Sequence, residues 1–186
     1  MKRILVLLLV IIPVLAHSQA VSYPKTLPLR SWSIGVSPTL NGGKFNMDEG
    51  PGIFINGGVP IKYSVDVSAR YGWFPNGPDY FGADVKWLFR EMRRQYFTLS
   101  TGLHYFYDLG FDLTGVYTYT VSHSLNLAAG LDFDLSFNPD MDRMFWLPLN
   151  IGYNADDRVY FYLEYDLPVS EMSWDIIAAG ITFVIR

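Results

Sequence analysis

Cysteine is absent from this chain of 186 residues, which excludes a disulfide framework and any zinc site built on thiolates. Charge is scarce as well. Asp, Glu, Lys and Arg make up 17% of the residues, against about 25% in ordinary soluble domains. The basic kind is the scarcer, 14 Lys and Arg against 18 Asp and Glu, so the electrostatic footprint of a nucleic-acid binder is missing. Also missing is an apolar run long enough to cross a bilayer as a helix, which takes about 20 residues; the uncharged run Ile4 to Ala16 is too short. No phosphate-binding Gly loop, His-Glu-x-x-His motif or nucleophile elbow is present, and nothing calls for a cofactor or metal.

What is plentiful is apolar and aromatic surface, 50% and 17% of the residues, too much for a disordered chain. The first residues give an address. Lys2 and Arg3 form a positive start, Ile4 to Ala16 an apolar middle, and small Ala16 and Ser18 stand at the −3 and −1 positions of a cut before Gln19. Residues 1–18 therefore read as a cleaved secretory signal. Residues 19–30 read as a periplasmic lead-in, and 31–186 as one domain.

That domain alternates with period two almost throughout, the mark of strands with one apolar face. Trp32, Ile34 and Val36 interleave with Ser33, Gly35 and Ser37. Val65, Val67, Ala69, Tyr71 and Trp73 interleave with Asp66, Ser68, Arg70 and Gly72. Ten strands are predicted at 31–40, 51–59, 63–74, 80–90, 95–107, 111–121, 125–137, 144–153, 158–167 and 174–185, with eight strands as the runner-up. The second is the weakest, because Gly57, Gly58 and Pro60 blur its pattern. The connections carry turn chemistry such as Asn41-Gly42-Gly43 and Asn154-Ala155-Asp156-Asp157.

Two observations decide which face looks outward. The apolar face is rich in Phe, Tyr, Trp, Leu and Ile and carries no charge, too much bulk to pack inside ten strands. The opposite face is mostly Gly, Ser, Thr, Asn and Ala with scattered charges, far poorer in Lys and Glu than a soluble exterior. Small and polar inside with large and apolar outside is the pattern of a barrel in lipid. Aromatics cluster at both strand ends, as at two membrane interfaces: Trp32, Trp87 and Tyr153 at one, Trp73, Phe81 and Tyr105 at the other.

With these features the whole chain resembles the small outer-membrane β-barrel proteins of Gram-negative bacteria. The resemblance implies an all-β, up-and-down antiparallel transmembrane β-barrel in the cell outer membrane. It also implies outer-membrane lipid and lipopolysaccharide as surroundings and the barrel assembly machinery as a partner. In that family the last strand usually ends in an aromatic that the machinery reads; here Phe183 is followed by Ile185 and Arg186, a departure from that ending.

Matching apolar positions across hairpins proposes registers. Tyr107 against Phe111 sets His104 opposite Thr114, and Val121 against Leu125 sets Asp112 opposite Asp134 and Thr114 opposite Asp132. Phe137 against Phe145 and Tyr153 against Val159 put Glu164 in the row of Asp112 and Asp134, with Asn150 and Tyr162 beside His104. The expectation is a lumen carboxylate cluster of Asp112, Asp132, Asp134 and Glu164 with His104. Trp73 against Phe81 sets an interior ion pair of Arg70 opposite Asp84, with Lys86 diagonal to Asp66. Like charges placed opposite need a proton, a cation or a basic partner.

The leading functional expectation is a structural or interaction role with a narrow, polar, mostly filled lumen and no catalytic residues. The alternatives are a pore for small solutes or cations, and an outer-membrane hydrolase or lipid-modifying enzyme using Asp112, Asp132, Asp134 and His104. Two smaller motifs read as solvated connections: Ser122-His123-Ser124, whose spacing departs from the His-x-Ser of lipid A deacylases, and Asn138/Asp140/Asp142, which alternate as calcium ligands do but lack the rest of a calcium loop. Residues Asp79, Asp140 and Glu171 make one set of connections acidic, whereas Lys62, Arg93 and Arg158 make the other set basic.

Overall fold

The computed structural model describes residues 25–42, 50–106, 108–137, 143–171 and 173–186. Ten antiparallel strands follow in chain order: β1 (Trp32–Asn41), β2 (Gly50–Lys62), β3 (Val65–Trp73), β4 (Tyr80–Met92) and β5 (Gln95–Phe106), then β6 (Asp108–Thr120), β7 (Leu125–Ser136), β8 (Arg143–Asn154), β9 (Val159–Pro168) and β10 (Ile176–Ile185). Each pairs with its sequence neighbours, and β1 pairs with β10, so the sheet closes on itself without a free edge. Closure leaves no strand edge to be satisfied by water, the condition a sheet must meet inside a bilayer. The up-and-down transmembrane barrel has ten strands, not eight.

β2 forms in full despite its glycines. Its register shifts between Pro60 and Lys62, and an irregularity of this kind is where a sheet tolerates proline. β4 has a similar shift between Leu88 and Arg90. Both lie near one rim, where β2–β3 and β4–β5 connect through the tight turns at 63–64 and 93–94. This end, which also holds both ends of the barrel domain, is the turn side; the opposite end is the loop side.

The exterior follows the alternation. Ile55, Val85, Leu103, Leu113, Leu131, Leu149 and Leu163 are exposed on the wall, with Trp32, Trp87 and Tyr153 toward the turn side and Trp73, Phe81 and Tyr105 toward the loop side. The interior holds the buried polar set, including Ser37, Asn56, Thr118, Asn150, Glu164 and Asp166. It also holds bulk that alternation alone did not emphasise: Phe54, Phe74, Tyr160, Tyr162, Trp146 and Trp174 are all buried. Glycines make room for it. A Cβ at Gly152 would overlap the Tyr160 hydroxyl, and one at Gly180 the Tyr162 ring, so large rings lie flat across neighbouring strands where no side chain competes.

Several registers differ from the sequence expectation. β6 and β7 pair as proposed, with Asp112 opposite Asp134 and Thr114 opposite Asp132. On β5, however, Phe111 pairs with Leu103, so His104 faces Gly110 and not Thr114. Phe145 pairs with Phe133, and Tyr153 with Phe161. Phe81 pairs with Tyr71, which sets Asp84 opposite Ser68 and Lys86 directly opposite Asp66. Every one of these corrections is a slip by an even number of residues. An even slip leaves each side chain on its own face, so the apolar pattern does not oppose it. The connections decide it: β5 and β6 run on to pair Phe106 with Asp108, a tighter reversal than the predicted turn.

Candidate functional site

The polar centre of the lumen lies on β3 to β7. Arg70 is its hub, with Nη2 at 2.6 Å from Asp84 Oδ1 and 3.2 Å from Asp112 Oδ2. Register alone sets Arg70 opposite Gly82, so the bond to Asp84 runs diagonally; the Tyr80 side chain fills the space over Gly82, and Asp84 Oδ1 lies over Gly102. His104 continues the chain of contacts. Its Nδ1 is 3.7 Å from Asp112 Oδ2 and its Nε2 is 3.3 Å from Asp134 Oδ1. Tyr80 stacks on the imidazole at 5.7 Å between ring centres and also receives the Arg70 guanidinium on its ring, which adds a cation–π contact to the ion pairs. Asp132 is next in line, accepting a 2.5 Å hydrogen bond from Thr114.

Of the residues singled out from sequence, Asp112, Asp134 and His104 meet directly, and Arg70 and Asp84 join them. Asp132 sits beside them through Thr114. Glu164 does not join that group. Its ladder partners are Asn150 and Ala178, and its Oε2 accepts a 3.0 Å bond from Asn150 Nδ2. Tyr160 donates to the other end of the same amide at 3.3 Å. The expected row of Glu164 with Asp112 and Asp134 is therefore corrected, the cause being the even slips at β7–β8 and β8–β9. Sequence reasoning did not single out Asp166, which is buried two residues beyond Glu164 on the same face. The signal was present, since the alternation that points Glu164 inward points Asp166 inward too.

The acidic balance of this interior is strong. Asp66, Asp84, Asp112, Asp132, Asp134, Glu164 and Asp166 face Arg70 and Lys86, with His104 able to add a charge only when protonated. Chemically the centre can relay charge or attract cations, while its hydroxyl and imidazole are engaged apart: Thr114 bonds Asp132, and His104 lies between two other carboxylates.

Ser122-His123-Ser124 forms the β6–β7 turn on the turn side, where the Ser122 hydroxyl accepts from the Leu125 amide at 3.1 Å. His123 borders an open cleft with Asp156, Arg158 and Arg186. The Asn138/Asp140/Asp142 motif lies outside the described residues. Among the described residues no group of three or more acidic, His or Cys side chains is arranged to hold a metal ion.

A second polar group gathers at the turn-side mouth, around the lead-in. The Leu27 amide donates to Asp66 Oδ2 at 2.7 Å, and Lys86 donates to the Lys25 carbonyl at 3.0 Å. Lys25 pairs with Glu91 at 2.5 Å. Burial alone would lower the Lys25 pKa; the bond to Glu91 and that carboxylate's charge outweigh it and leave the pKa raised.

No protein-family model matches the chain, and no curated protein does. Among solved structures it is similar to the KdgM porin, with a TM-score of 0.52 at 10% identity, covering 82% of this chain and 98% of that one. The fold is porin-like. The KdgM porin in complex with disordered oligogalacturonate is similar to the same degree, with a TM-score of 0.51, 10% identity and the same coverage. A structure from the de novo design of transmembrane β-barrels matches at 14% identity over 85% of this chain and 98% of that one, with a TM-score of 0.43.

Proposed function

We propose that the protein is an integral outer-membrane β-barrel, exported by a signal at residues 1–18, that serves a structural or interaction role with its lumen closed at rest. The observation that carries this reading is the filling of the interior. Tyr160, Glu164, Thr118, Thr182, Asp166 and Pro148 are fully buried between the strands, and Trp146 packs edge-on against Trp174 toward the loop side. A ten-stranded barrel is only slightly wider than one that side chains fill, so rings laid across it leave little open bore. No catalytic role enters this reading. The apolar exterior supports lipid and lipopolysaccharide as surroundings, and folding would pass through the barrel assembly machinery.

A second reading, a narrow pore for cations or small solutes, is favoured by the charge of the interior. Among the described residues, seven interior carboxylates against Arg70 and Lys86 attract cations and repel anions. Oligogalacturonate, the sugar bound in the KdgM porin structure, is a polyanion, so the same charge argues against a like solute here. Planar-bilayer recording of the purified barrel tests both readings. A closed barrel gives no steps above baseline at ordinary voltages; steady, cation-selective steps would replace the first reading with the second.

A further inference from the structure

We propose that residues 25–31 are a tethered plug that seats in the turn-side mouth of the barrel and closes it, held by an ionic lock made from Asp66, Lys86 and Glu91. The inference goes beyond the filled-lumen reading and does not depend on it.

The segment leaves β1 at Trp32 and turns at once. Ser31 N and its hydroxyl both donate to the Pro28 carbonyl, at 3.2 and 2.6 Å, and Arg30, the third residue of that turn, has φ 64°. A non-glycine residue takes this left-handed conformation only when its surroundings hold it there. The turn sends the chain inward across the mouth. Thr26 and Leu27 are buried, 5% and 4% exposed, whereas Leu29 at the bend is 55% exposed. A Cβ at Gly58, on the inner face of β2, would touch the Leu27 side chain at 3.4 Å. The far end of the segment reaches β4 and β5, where Lys25 pairs with Glu91 and its ammonium lies 5.2 Å from the Tyr96 ring centre.

The contacts that hold it are mainly polar. Asp66 accepts the Leu27 amide while Lys86 lies 3.8 Å away, and Thr26 donates to the Tyr63 carbonyl. Leu27 is the only buried apolar side chain on the segment. Lys25 and Glu91 remain about one-third exposed, 32% and 35%, so dissolved salt can weaken their attraction. A seat of this kind releases without unfolding the barrel.

The absence of cysteine makes the test clean, because each introduced thiol is the only one. Thr26→Cys, Leu27→Cys and Leu29→Cys are made singly in the full chain, refolded in detergent micelles, shown to be barrels by a heat-shifted gel band, and reacted with a maleimide. At low salt Thr26→Cys and Leu27→Cys should react at least tenfold more slowly than Leu29→Cys. Adding Asp66→Ala with Glu91→Ala should bring Thr26→Cys close to the rate of Leu29→Cys with the heat shift unchanged. A reporter thiol at Ser68→Cys, further along the lumen wall, should gain reactivity in the same background. Equal rates for positions 26 and 29 in the otherwise unaltered barrel would overturn the plug. Protection that survives the loss of both carboxylates would overturn the lock, and an unchanged rate at Ser68→Cys once the segment is released would overturn closure of the mouth.

Discussion

The two ends of the lumen are closed by different means. At the loop side Trp146, Trp174, Met144 and Ile176 pack together from β8, β10 and the segment before β10, and the Trp146 indole donates to the Trp174 carbonyl at 2.9 Å. Met144 and Trp146 lie within β8 and Ile176 within β10, so this closure comes apart only with the barrel. At the turn side the stopper is the short segment 25–31 that leads into β1, held by charge and a single leucine. The contrast teaches that a barrel can fill one mouth with its own wall and leave the other to a removable piece. Between the two lies the Arg70 network, whose Tyr80 reaches Phe106 beside the loop-side cluster.

The largest effect should come from the middle. Arg70→Ala strands Asp84 and Asp112 without their cation, and breaking a buried ion pair from one side costs about 3–5 kcal/mol. Denaturant unfolding in micelles, followed by tryptophan fluorescence, should register that loss; a cost below about 1 kcal/mol would mean that water already screens the network. At the loop side Trp174→Ala should cost about 3 kcal/mol, the low end for a buried tryptophan, because the site lies near the rim. If it costs no more than a turn-side change, the two ends are not different in kind.

Turn-side changes should be smaller for the barrel. Asp66→Ala should lower barrel stability by less than Trp174→Ala in the same unfolding assay, because the two groups that lose its carboxylate, the Leu27 amide and the Lys86 ammonium, lie at the mouth and can return to water when the segment is released. An equal loss would place the segment inside the cooperative fold. Smallest of all, Arg30→Gly relieves the left-handed residue of a strain worth about 1 kcal/mol, offset in part by a more flexible free segment. It should slow maleimide labelling at Thr26→Cys by a few-fold, and faster labelling would show that the turn is not what positions the plug.

Much of this was legible in the sequence, for a physical reason. The outer face must be apolar at every second position, so the strands, their number and their inside and outside could all be read from period two. The same reasoning explains what stayed hidden. Alternation fixes each pairing only up to an even slip, so Asp112 met Asp134 as expected while Glu164 moved into the neighbourhood of Asn150. Arg70 and Asp84 come together although they are not opposed in the ladder, because a long guanidinium reaches diagonally to a carboxylate that leans over Gly102. The lead-in has no periodicity at all, and its place in the mouth depends on contacts from four strands that no local pattern in residues 25–31 encodes.

The most direct test of the membrane barrel itself is gel mobility of fractionated protein, heated against unheated. The inverted barrel predicts a detergent-resistant band in the outer-membrane fraction that shifts only after boiling. A soluble periplasmic band with no heat shift would contradict it, and would mean that the apolar face finds its partner somewhere other than lipid.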